Sequence, residues 1–137
     1  MQQDLIDYIN AQRAEAIEFS KQPDCWMGML PEASDTAYWS ERVPSGTLVE
    51  FERIELEESA YYATADAYSK SYARSFDFST MSNAQLEELV KEACAEMDAQ
   101  FEEEKAYQAA EEKRIAELAS SLNVDVNTLN RLSLIHI

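Results

Sequence analysis

NAQLEELVKEACAEMDAQFEEEKAYQAAEEKRIAELASS, Asn83–Ser121, reads as a single long helix, and it sets the fold class of the whole chain. It contains neither Gly nor Pro. Leu86, Leu89, Val90, Cys94, Met97 and Phe101 recur at three- and four-residue spacings, which makes an apolar face on a helix. The stripe fails at Glu102-Glu103-Glu104, leaves Tyr107, and resumes with Ile115, Leu118 and Leu122. Cys94, Phe101, Ile115 and Leu122 share a seven-residue phase with Gln108 in the gap, so the helix is only partly coiled-coil-like. Its middle is expected to be exposed, bent or paired with another chain. Just upstream, Ser82 with Gln85 has the form of a capping box.

Working back from there, Arg74–Met81 reads as a break that contains Phe76 and Phe78. Before it, Phe51, Ile54, Tyr61, Ala65, Tyr68 and Tyr72 lie at helical spacings, and Thr47 with Glu50 offers a second capping box. These predict one helix of about 25 residues. The competing strand over Val49–Glu52 loses its alternation at Arg53-Ile54. Residues 23–46 hold all three prolines, both glycines and both tryptophans. So many large apolar groups predict a connection folded back on the helices. Within it, Asp35 is expected to open a short helix through Tyr38, Trp39 and Arg42, and Pro44-Ser45-Gly46 to form a turn. Residues 1–20 predict a first helix on Leu5, Ile6, Ile9, Ala16 and Ile17, stopped before Pro23.

The expected architecture is all-α: an irregular helical domain over 1–82 with a Trp-containing loop, then a long acidic helix over 83–122. Residues 123–131 read as the start of a second helix in a helix-turn-helix-like unit. In the string IAELASSLNVDVNTLNR, Ile115, Leu118, Ala119 and Leu122 would face inward and Asn123 would make the turn. Val124 and Val126 would pack, and Asp125 or Asn127 would cap a helix carrying Thr128, Leu129 and Arg131. The final LSLIHI, Leu132–Ile137, resembles the translation of a sequencing-library adapter. On that reading the native sequence stops at or near Arg131, and His136, the one histidine, is not native.

Charge limits the function further. There are 27 acidic residues against 11 basic, a formal net charge of -16. Affinity for a phosphate backbone comes from Lys and Arg displacing counterions, so direct nucleic-acid binding is disfavoured and a basic protein surface is the easier partner. Leu86–Glu117 alone holds 11 of the 27 acidic residues. The N-terminus has no basic region followed by an apolar run, and no stretch approaches a membrane span, so a cytoplasmic protein without membrane contact is expected. Two cysteines, Cys25 and Cys94, make no disulfide framework. Cys94 on the helical stripe and Cys25 beside Trp26 both read as buried packing.

Chemistry-bearing patterns are missing. The acidic runs Glu57/Glu58, Glu87/Glu88, Glu102–Glu104 and Glu111/Glu112 sit on periodic helices, where carboxylates form a solvated face. Asp24, Glu32, Asp35 and Glu41 do not have the spacing of a calcium loop, and no Glu-x-x-His pair exists for a di-metal bundle. Catalytic, cofactor and metal residues are accordingly expected to be none. Tyr61, Tyr62, Tyr68 and Tyr72 lie near Lys70 and Arg74, too few cations for stacking on nucleic acid. The candidate interaction face comprises Trp26, Trp39, Tyr61, Tyr62, Glu102, Glu103, Glu104 and Tyr107.

The layout resembles a family of small acidic helical tailed-phage proteins. The resemblance rests on the loop with Trp26 and Trp39, on TLVEFERIELEESAYY (Thr47–Tyr62), and on ADAYSKSYARSFDFSTMSNAQLEELV (Ala65–Val90). Where such proteins carry a Gly or Pro before the Arg of the last segment, this chain has Ser71-Tyr72-Ala73. The resemblance implies a phage gene expressed in the host cytoplasm, with no activity and no functional residues to carry over. The expected function is a non-enzymatic accessory protein that contacts a host or phage protein, homo-oligomers included. Two rivals are a decoy that imitates the charge of DNA and a DNA-binding regulator using the C-terminal unit.

Overall fold

The computed structural model describes residues 1–123, 125–128 and 131. The fold is all-α, and no strand occurs among the described residues. Helix α1 spans Gln3–Ser20, α2 Thr36–Arg42, α3 Leu48–Ala67, α4 Lys70–Arg74 and α5 Asn83–Leu122, with a 3₁₀ turn at Phe78–Thr80. The chain divides into two compact units, Met1–Val90 and Lys91–Ile137.

The core of the first unit gathers Leu5 and Ile9 of α1, Trp39 of α2, Val43, and Phe51 of α3. Tyr8, Leu30, Ala33, Leu48 and Ile54 pack against it. Phe51 is the hub: its ring lies 5.5 Å from Tyr8 and 5.7 Å from Trp39, in tilted and edge-on arrangements that suit aromatic quadrupoles. Trp39 is 2% exposed, and its indole N–H donates to the Glu32 carbonyl at 2.9 Å, so the polar end of a buried ring is satisfied. Arg13, which interrupts the apolar face of α1, is half-buried and donates to the Leu30 carbonyl. It pins the long connection onto α1.

The helix starts are made locally. Asp35 accepts from the Tyr38 amide and Thr47 from the Glu50 amide. Ser82 and Gln85 form the reciprocal box, the Gln85 amide donating to Ser82 Oγ at 3.1 Å and the Ser82 amide to Gln85 Oε1 at 2.8 Å. The Thr47 box departs from that pattern. Glu50 reaches back to the Ser45 amide at 3.0 Å, because the Thr47 amide is already taken by Ser45 Oγ. The turn before it closes through the Gly46 amide onto the Val43 carbonyl, with Gly46 at a φ of 68°. There the Gln2 amide donates to the Gly46 carbonyl at 2.8 Å.

Three expectations need correction. The single helix of about 25 residues ends at Ala67 after 20 residues. Tyr68 leaves the helical region, and Ser69, with extended backbone, caps α4 by accepting from the Tyr72 amide. The long connection is folded back only in part: Trp39 is buried and Leu30 half-buried, but Trp26 is 82% and Met29 51% exposed. Cys25 is only half-buried, and Cys94 is exposed because Ala93 takes the inward position on α5.

Among the described residues, α3 and α4 make the most extensive contact between elements. The buried residues of α4 and of the C-terminal half of α3 are small: Ala60, Ala63, Thr64 and Ala67 on α3, and Ala73 on α4. Arg53 joins α3 to the start of α5, donating to Asn83 Oδ1 at 2.6 Å and to the Phe78 and Met81 carbonyls.

In the second unit, Ala119 is buried, Ile115 half-buried, and Leu118 and Leu122 are exposed. Asn123 adopts a φ of 55°, the left-handed turn expected of it, and Asp125 accepts from the Thr128 amide at 2.8 Å as a cap. Val126 is 40% exposed. The expectations for Val124, Leu129 and Leu132–Ile137, His136 included, lie outside the described residues.

Candidate functional site

The first unit carries a row of aromatic rings on its surface. Tyr62 touches Tyr61 at 5.3 Å, Tyr61 meets Phe78 edge-on at 6.4 Å, and Phe78 stacks on Phe76 at 5.7 Å. The row continues from Phe76 to Tyr72 at 5.2 Å and on to Tyr68 at 5.1 Å. It forms because Tyr61 and Tyr62 sit on α3, while the break after α4 returns Phe76 and Phe78 to the same helix through the Arg53 anchor. Tyr62, Tyr68 and Tyr72 are exposed, and Tyr61, Phe76 and Phe78 are half-buried.

A groove runs along one end of this row, lined by Tyr61, Tyr62, Phe76 and Phe78 with Ile54 and Ser79 and rimmed by Glu57, Glu58 and Asp77. The rim is ordered by its own bonds. Arg42 donates to both oxygens of Glu58, and Arg53 to Glu57 Oε1 at 2.9 Å. The hydrogen bond from Arg42 holds the Glu58 carboxyl below the usual carboxylate range, and the same bond raises the Arg42 guanidinium. Asp77 Oδ1 accepts from the Ser79 amide and hydroxyl.

The second unit presents a different surface. From Phe101 to Ala110 every position of α5 is exposed, Phe101 and Tyr107 included at 66% and 65%. Glu102, Glu103 and Glu104 lie in that stretch without a salt bridge among the described residues. Side-chain bonds within the helix support it: Gln108 donates to Glu104 at 3.2 Å, and Arg114 to Glu111 at 2.6 Å. The Arg114 bond holds Glu111 below its ordinary value.

The residues of the expected face therefore fall in separate places. Tyr61 and Tyr62 come together and gain Phe76 and Phe78, which the sequence showed only as part of a break. Glu102–Glu104 and Tyr107 share the exposed stretch of α5. Trp26 stands on the loop, its ring beside Gly28, and Trp39 belongs to the core and presents nothing to a partner. Among the described residues no group of three or more His, Cys, Asp or Glu is placed to hold a metal ion. No helix among them is long and apolar enough to cross a membrane. No family model matches the chain, and neither a curated protein nor a solved structure shows detectable similarity to it.

Proposed function

We propose that the protein is a non-enzymatic accessory protein of tailed phage that works in the host cytoplasm by protein–protein contact, against a partner with a basic surface. The supporting observation is the ten-residue stretch Phe101–Ala110, exposed all round while carrying Phe101, Tyr107 and three adjacent carboxylates. Large exposed apolar groups set among charge are a mark of recognition surfaces. The phage assignment draws on the resemblance in Thr47–Tyr62 and Ala65–Val90.

A second reading, a decoy for DNA, is favoured by the 11 acidic residues within Leu86–Glu117. A third, a DNA-binding regulator, is favoured by the turn at Asn123 and the cap at Asp125.

Affinity capture from a bacterial lysate separates these readings. Wild type is compared with Phe101→Ala/Tyr107→Ala and with Glu102→Gln/Glu103→Gln/Glu104→Gln, at low and high salt, with helicity checked by circular dichroism. The proposal expects a protein held at low salt by wild type and lost from both variants. A captured protein that duplex DNA displaces favours the decoy. Capture of nothing, or equal capture by wild type and variants, overturns the proposal. Retention of duplex DNA by the protein itself would favour the regulator.

A further inference from the structure

We propose that the groove beside Tyr61 and Phe78 is a separate docking site, which takes a Lys or Arg side chain presented by an extended basic segment of a partner protein. It lies wholly within Met1–Val90 and does not depend on the α5 reading.

Four of its lining residues are aromatic. Tyr61 stands nearly perpendicular to Tyr62, at 80°, and to Phe78, at 89°, while Phe76 lies almost parallel to Phe78. Rings at these angles brace one another, and the exposed area of Tyr62 leaves an aromatic surface open to a ligand. Aromatic faces attract cations through their quadrupole. The rim carries three carboxylates, and no Lys or Arg lines the groove. Arg42 occupies both oxygens of Glu58 and Arg53 one oxygen of Glu57, so Glu57 and Asp77 each keep one carboxylate oxygen without a hydrogen bond among the described residues.

That combination selects the occupant. A purely apolar ligand would strip water from the rim carboxylates with no compensating bond. A nucleotide would stack on the rings but bring its phosphate against the acidic rim. A Lys or Arg side chain meets both demands: its methylenes cover the rings and its charged head reaches a carboxylate. The nearest basic residues in the sequence, Lys70 and Arg74, flank Tyr72 and do not line the groove.

The test uses the full chain and a fluorescein-labelled peptide of alternating Arg and Gly, followed by fluorescence anisotropy. Tyr62→Ala and Asp77→Asn are each expected to weaken binding about fivefold to tenfold, the size of a partly desolvated cation–aromatic or charge-assisted contact. Tyr62→Phe keeps the ring and should retain wild-type affinity. Glu102→Gln/Glu103→Gln/Glu104→Gln removes three charges elsewhere and should weaken binding by less than Tyr62→Ala does. A triple variant that loses more than Tyr62→Ala means the peptide reads net charge alone, and overturns the proposal. So does a failure of wild type to bind, or tighter binding of a labelled single-stranded oligonucleotide. Because the α5 variants enter only as the control, failure here leaves the capture experiment's outcome untouched.

Discussion

Arg42 grips Glu58 with both terminal guanidinium nitrogens, Nη2 to Oε2 at 2.8 Å, and so ties the last turn of α2 to the middle of α3. The same Nη2 also donates to Glu55 at 2.9 Å. Planar, two-point pairing is the strong form of the ion pair, but Glu58 is 45% exposed and water screens it. Glu58→Gln should therefore cost about 1 kcal/mol or less at neutral pH. The Arg42 bond lowers the Glu58 pKa from its ordinary 4.5, so the pair's contribution is full above that value and is lost as pH falls through the lower, folded value. Urea unfolding of wild type and Glu58→Gln across the acid range checks this. The difference between them should be flat above the ordinary value and close to nothing at strongly acid pH.

Gly46 occupies a turn where a side chain cannot be added cheaply. Its φ is 68°, and a Cβ would lie 2.9 Å from the Met1 Cα. Gly46→Ala should destabilise by about 1–3 kcal/mol, from the left-handed backbone together with the displaced N-terminal segment. Thermal unfolding measures the loss, and an unchanged melting temperature would count against the close packing of Met1 on this turn.

Thr64 is fully buried, and its hydroxyl has no hydrogen-bond partner among the described residues. Replacing the hydroxyl by a methyl removes a desolvated polar group at nearly constant volume. Thr64→Val is expected to stabilise by about 1 kcal/mol. A loss of stability would mean that the hydroxyl is satisfied by ordered water.

The two tryptophans should behave as opposites. Trp26 is 82% exposed and Trp39 2%. Trp26→Phe should leave a blue-shifted emission that acrylamide scarcely quenches, whereas Trp39→Phe should leave a red-shifted, readily quenched one and cost stability. Equal quenching of the two variants would contradict the placement of the loop.

Much of the fold was legible because its signals are local. Asp35, Thr47 and Ser82 cap helices through residues three positions away, so the chain announces its own helix starts. The break at Tyr68 was not legible. Ala65, Tyr68 and Tyr72 keep a helical spacing across it, and what ends α3 is the competing cap of Ser69 and the packing of α4. Nor could periodicity tell Cys94 from Ala93, since neighbours on a helix differ by 100° and the covering partner decides which is inward. Of the candidate site, Tyr61 and Tyr62 were visible as an adjacent pair. Phe76 and Phe78 reach them with the help of a nonlocal anchor, Arg53 on the Phe78 carbonyl, which no spacing rule encodes.

The alanine seam between α3 and α4 has a consequence for how this protein tolerates change. Ala60, Ala63 and Ala67 of α3 and Ala73 of α4 are buried, and each fills its place with a single methyl group. A methyl can shrink to hydrogen with modest effect, but growth has nowhere to go in a dense interior. In a saturation scan these small residues should prove nearly as intolerant as the large Trp39, and the intolerance should run in one direction: bulk, not polarity, would be what the seam rejects first.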